Sequence, residues 1–277
     1  MSTVEAGDGV RLYVEAHGDG IPVVFSCAFA TTHENFRPQV APLVAGGARV
    51  ILWDYRSHGR SEAGDPESYG IEQVIDDLGR VLDHAAPGQP AVVGGLSLGG
   101  LVSLHFALRH PERVRGLLLL DSGPGFKNPE AAARWQAQVE KTGSILRERG
   151  MTVLTRGKAA ATAIGRDPEL PAAQAAARAI EAQDPVAVAE FGRRVAGPAP
   201  CVIDDLPRIE APALVLVGEH DTAYLRAADV MEAKLPKASK LVLQDAGHIS
   251  NIEAADALNS AVLRFLADLP EPAGQSR

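Results

Sequence analysis

The chain has 277 residues, 46% of them hydrophobic, enough to bury a sizeable core in one domain carrying an insertion. Its formal net charge of −8 argues against nucleic acid and other polyanions as partners, and no apolar run reaches the length needed to span a bilayer. Two cysteines, Cys27 and Cys201, make no disulfide framework, and residues 1–6 carry neither a basic nor an apolar leader, so the expectation is a cytoplasmic protein, monomer or homodimer, acting on a small molecule away from nucleic acid and membrane.

In chain order, residues 10–16 alternate after Gly7-Asp8-Gly9, which predicts a hairpin of two early strands. Continuous apolar runs at 22–26 and 50–54 predict buried strands. Residues 71–85 place Val74, Ile75, Leu78, Val81 and Leu82 at helical spacing. A strand at 91–95 then runs into Gly95-Leu96-Ser97-Leu98-Gly99, and a helix leaves it over 99–110. Strands follow at 114–121, 213–218 and 240–243, and a last helix at 254–266. Unbroken apolar strands alternating with amphipathic helices predict an α/β fold, a mostly parallel eight-stranded sheet covered on both faces. Residues 123–206 differ. They hold alanine-rich helical segments at 129–141 and 170–182 and no convincing strand. About eighty residues is too long for a plain crossover, so they read as a helical cap over the C-terminal edge of the sheet, where ligands bind in such folds. The core is then 1–122 with 207–269, and 270–277 reads as a disordered tail.

The chemistry centres on Ser97. By chance alone a G-x-S-x-G pattern is expected on the order of one time in ten in a chain this rich in glycine; the strand before it and the helix after it supply the context of a nucleophile elbow. The alternative is a glycine-rich turn whose serine caps a helix. A serine hydroxyl needs a base, and the base needs an orienting acid. Asp221, at the end of the 213–218 strand, and His248, in Ala246-Gly247-His248, follow Ser97 in the chain order such sites require. Glu219 and Asp121 compete for the acid role, since both also end strands. His58, in the turn Arg56-Ser57-His58-Gly59-Arg60-Ser61, reads as structural, and Asp54 as a loop holder. No G-x-G-x-x-G, phosphate-loop lysine or zinc-type spacing is present, so no cofactor and no metal are expected.

Together, 54–61, the 95–100 elbow, 217–221 and 246–248 resemble the α/β-hydrolase superfamily. The resemblance implies Ser97 as nucleophile, His248 as base and Asp221 as orienting acid. Two stretches, 25–34 and 246–253, are similar to 3-oxoadipate enol-lactonases. Most superfamily members carry His-Gly after the first parallel strand; Cys27-Ala28 stands there instead, and Ala30 replaces a glycine, although alanine does not adopt glycine's positive φ cheaply. The implied activity is a serine hydrolase of esters or lactones, a carboxylic ester hydrolase. Its oxyanion donors would be the backbone N–H groups of Phe29 and Leu98. The same triad serves carbon–carbon bond hydrolases of ring-cleavage products, and some members of the fold are non-catalytic ligand receptors. Phe29, Trp135 and Met151 are candidates for lining the substrate pocket, with core packing as the alternative. Arg56 and Arg60 could meet an acidic substrate or pack the turn.

Overall fold

The early hairpin forms from Ser2–Glu5 (β1) and Arg11–His17 (β2), turned by Gly9 at φ 85°. The computed structural model describes residues 2–270. Six further strands follow: Ile21–Ser26 (β3), Ala48–Trp53 (β4), Ala91–Leu96 (β5), Val114–Leu120 (β6), Ala213–Gly218 (β7) and Ala238–Leu243 (β8). They join one sheet in the order β1-β2-β4-β3-β5-β6-β7-β8. β2 is antiparallel to both neighbours, and every pairing from β4 to β8 is parallel. This is the eight-stranded sheet that the strand pattern predicts.

The two-residue period of the strands divides the interior into two cores. Val93, Leu117, Leu119 and Val215 face one; Val92, Leu118, Leu120 and Leu214 face the other. The first core is covered by Ile71–Ala85 (α2) and Leu98–Arg109 (α3), whose Val74, Leu78, Val102 and Phe106 are buried there. The second is covered by Arg37–Ala45 (α1) and by Ala255–Ala267, the last helix, through Leu43, Leu258 and Val262. α1 escapes the sequence pattern because Pro42 interrupts it. Pro42 has no N–H for the carbonyl one turn back, Pro38 O, and Asn259 Nδ2 of the last helix donates to that oxygen at 3.1 Å. The irregularity thus becomes a tie between the two helices on this face.

The segment between β6 and β7 is helical, with no strand among the described residues. It contains Pro129–Arg149 (α4), Pro171–Glu181 (α5) and Pro185–Phe191 (α6), each opening on proline at a position where the missing N–H costs nothing. Asn128 and Asp184 cap α4 and α6 through their side-chain oxygens. α4 runs past the predicted end at 141 because Gly143 marks a close approach rather than a break: a Cβ there would lie 3.3 Å from Ala189 Cβ of α6. Another helix the sequence reading missed, Leu225–Lys234 (α7), follows β7 and buries Ala228 and Met231. No helix among the described residues is long and apolar enough to cross a membrane. Of the expected tail, 271–277 lies outside the described residues.

Candidate active site

Ser97 joins β5 to α3 at φ 55°, ψ −112°, a conformation that non-glycine residues rarely adopt. Its N–H donates to Leu120 O at 2.9 Å, and its own carbonyl accepts from Gly100 N–H at 3.1 Å and from the Ser122 hydroxyl at 2.6 Å. The flanking glycines are required by space. A Cβ on Gly99 would lie 2.1 Å from Ser26 O, and one on Gly95 2.5 Å from the same oxygen. The first turn of α3 can press against the end of β3 only if both lack side chains. The half-buried serine is thereby held at the head of a helix.

Asp221 follows β7 and His248 lies in the loop after β8. His248 Nδ1 is 2.7 Å from Asp221 Oδ2. Burial pulls the imidazole toward its neutral form, but the Asp221 hydrogen bond and the charges of Asp221, Asp121 and Glu253 raise its pKa above the ordinary value. The two competing acids sit elsewhere. Glu219 accepts the Asp245 N–H at 3.1 Å near the surface. Asp121 is fully buried at φ 43°, accepting the Gly218 N–H at 2.7 Å and the Ser250 hydroxyl. It ties the ends of β6 and β7 to the histidine loop, and burial raises its carboxyl well above the usual range.

The loop after β3 carries the residues that depart from the family pattern. Cys27 turns into the core, its thiol 3.6 Å from Trp53 O, and its carbonyl accepts the Tyr55 hydroxyl at 2.9 Å. Ala30 does adopt a glycine-like backbone, at φ 63°, which costs an L-residue on the order of 1 kcal/mol. Two side chains hold it there. His58 Nε2 accepts the Ala30 N–H at 3.1 Å, and Gln183 Nε2 donates to Ala30 O at 3.0 Å. His58 Nδ1 lies 3.2 Å from Arg56 O, so the ring proton sits on Nδ1. Burial keeps the ring neutral, with its pKa lowered to about 4. His58 is thus structural, and the structure it maintains is the loop that presents the Phe29 backbone.

Two cavities meet at Ser97. One, of about 360 Å³, is bordered by Ser97, Asp221 and His248 together with Gln138 and Thr142 of α4 and Thr162. The other, of about 280 Å³, is bordered by Leu98, Leu101, Phe126 and Ala227. Phe29, Trp135, Ala223 and Tyr224 border both. Trp135 is therefore on the pocket wall, its indole N–H donating to Ala196 O at 2.8 Å. Met151 is not: it borders neither cavity and packs, 3% exposed, in the second core, where the turn at Gly150 folds it under α4. Tyr224 escaped the sequence reading. It stacks on the His248 ring at 5.1 Å and 24°, and with Ser97 it borders both cavities. Its position three residues past Asp221 was the available signal. Arg56 is fully buried against Asp77 and Asp8, and Arg60 lies over the Tyr13 ring; neither borders a cavity. Glu15, His33 and Glu34 come close enough to hold a cation, but Arg37 already binds both glutamates there.

The alpha/beta hydrolase fold model matches residues 21–255. The chain is 30% identical to 3-oxoadipate enol-lactonase 2 of Acinetobacter baylyi, over 87% of this chain and 86% of that protein. It is 27% identical to the 2-hydroxy-6-oxononadienedioate/2-hydroxy-6-oxononatrienedioate hydrolase of Klebsiella pneumoniae, over 95% and 89%. The crystal structure of the enol-lactonase from Burkholderia xenovorans LB400 superposes with a TM-score of 0.81 at 28% identity, covering 96% of this chain and all of that one. The chain spans less than half the length of the first curated relatives it matches. With the sheet order, the strained serine between β5 and α3 and the match over most of its length, the chain belongs to the α/β-hydrolase fold family.

Proposed function

We propose that the chain is a cofactor-independent serine hydrolase that cleaves an ester or lactone bond of a small molecule. The observation that carries this reading is that Ser97, in its strained turn at the head of α3, borders the same cavity as the hydrogen-bonded His248–Asp221 pair. Ser97 Oγ attacks the carbonyl carbon while His248 Nε2 takes its proton, and Asp221 fixes the ring and stabilises the imidazolium. The backbone N–H groups of Leu98 and Phe29 receive the oxyanion. Collapse expels the alkoxide, which takes the proton from His248. Water, deprotonated by His248, then attacks the acyl-enzyme, releases the acid and returns the proton to Ser97. Purified protein should turn over p-nitrophenyl butyrate, and Ser97→Ala should lower kcat by about 10⁴-fold or more. Turnover by that variant within tenfold of the parent would rule out Ser97 as the nucleophile.

A further inference from the structure

We infer that the substrate is an uncharged ester or lactone, with its acyl chain in the cavity between α3 and α7 and its leaving oxygen in the cavity under α4. This rests on the hydrolase reading and narrows it. Among the described residues no lysine or arginine borders either cavity; the ionisable groups there are Asp221, His248 and Tyr224. A carboxylate brought into this space finds no counter-ion except His248, whose charge is already paired with Asp221 2.7 Å away. That separates the chain from its relatives named for a 3-oxoadipate lactone and for a dienedioate, whose named substrates are carboxylic acids.

The asymmetry of the two cavities assigns the halves of the substrate. His248 borders only the first, and Leu98 only the second. His248 must hand its proton to the leaving oxygen, so the leaving group lies on its side and the acyl group on the other. The wall of the acyl side is mostly apolar. The Trp135 N–H is taken by Ala196 O, the Tyr224 ring lies stacked on His248 at the junction with the first cavity, and Leu98, Leu101, Phe126 and Ala227 supply hydrocarbon. Such a surface rewards hydrocarbon alone. The leaving-group side has the amide of Gln138 and the hydroxyls of Thr142 and Thr162; the hydroxyl protons go to Gln138 O and Ala159 O, which leaves the hydroxyl lone pairs and the amide to meet an uncharged polar group.

The test compares kcat/KM for p-nitrophenyl acetate, p-nitrophenyl hexanoate and the mono-p-nitrophenyl ester of adipic acid, the last two matched in length and differing in a terminal carboxylate. Hexanoate should exceed acetate by about tenfold, and the adipate half-ester should fall about a hundredfold below hexanoate. Ala227→Phe, filling the acyl side from α7, should abolish the hexanoate advantage, bringing the hexanoate-to-acetate ratio to about one. Leu101→Trp should do the same from α3. Equal turnover of adipate half-ester and hexanoate by the unaltered protein would overturn the uncharged-substrate assignment. An unchanged hexanoate-to-acetate ratio in both variants would overturn the placement of the acyl chain. Failure on all three esters, acetate included, would remove the hydrolase reading itself.

Discussion

His248 has one carboxylate at hydrogen-bond distance, Asp221 at 2.7 Å, while Asp121 acts on it through charge alone. Because those acids raise the imidazole above its ordinary pKa, activity should rise with pH as His248 loses its proton, with a midpoint above 6.5. Asp221→Asn should move that midpoint downward and lower kcat by about 10⁴-fold, since the amide neither stabilises the imidazolium nor keeps the tautomer. A pH profile of kcat/KM for both proteins checks this, and an unmoved midpoint would assign the shift to Asp121. Ser97, Asp221 and His248 were legible in the sequence because each sits at the end of a strand, with glycines or a short loop marking the place. The bond from His58 to Ala30 was not, because it joins loops 28 residues apart that only the sheet brings together. Met151 and Trp135 looked alike in the chain. Which of them faces a cavity depends on how α4 sits over the sheet, and no local pattern encodes that.

At the scale of the elements, the elbow depends on close contact between α3 and β3. Gly99 has no positive φ, yet a Cβ on it would collide with Ser26 O; Gly88 has φ 69° and nothing within 4 Å. Space and backbone strain can therefore be tested separately. Gly99→Ala should cost about 3 kcal/mol or more, as an overpacked backbone contact with no room to relax. Gly88→Ala should cost only about 1 kcal/mol, for the left-handed backbone. Urea unfolding of the two variants measures the difference, and equal losses would show that crowding at the elbow is not what demands glycine. The strands were legible because burial on both faces leaves unbroken apolar runs. α1 was not, since Pro42 reads as a stop while Asn259, on a distant helix, supplies the hydrogen bond that lets the helix continue. The longer reach of α4 was hidden by Gly143, which reads as a break and serves as a contact with α6.

For the whole molecule, two buried histidines set opposite slopes of stability with pH. His58 is lowered to about 4 by burial, from 6.5. As pH falls below 6.5 the unfolded chain takes up a proton that the folded chain refuses until about 4, so stability is lost through that window. His33 is the reverse. Burial disfavours its charge, but hydrogen bonds to Asp54 and Glu34 and the charge of Glu15 raise it to about 9. Its contribution is complete below 6.5 and is lost as pH rises through 9. The change across each window is on the order of 3 kcal/mol. His58→Gln should flatten the acid side of a stability–pH curve and His33→Gln the alkaline side, as read by urea midpoints from pH 4 to pH 9. The reverse assignment, or no change in either slope, would contradict these environments. Both histidines face Asp54 or the loops it anchors: Asp54 accepts the backbone N–H of His33 at 2.8 Å and of Arg60 at 2.9 Å. The sequence marked Asp54 as a loop holder, but not that the two loops it ties are the one carrying Phe29 and the one carrying His58.

The most direct test of the central claim is covalent. The folded protein is treated with a serine-reactive fluorophosphonate, and the adduct is located by intact mass and peptide mapping. The expected result is one adduct, on Ser97, absent in Ser97→Ala and formed far more slowly in His248→Ala. An adduct on another residue, or a folded protein that leaves Ser97 unmodified, would contradict the assignment of Ser97 as an activated nucleophile.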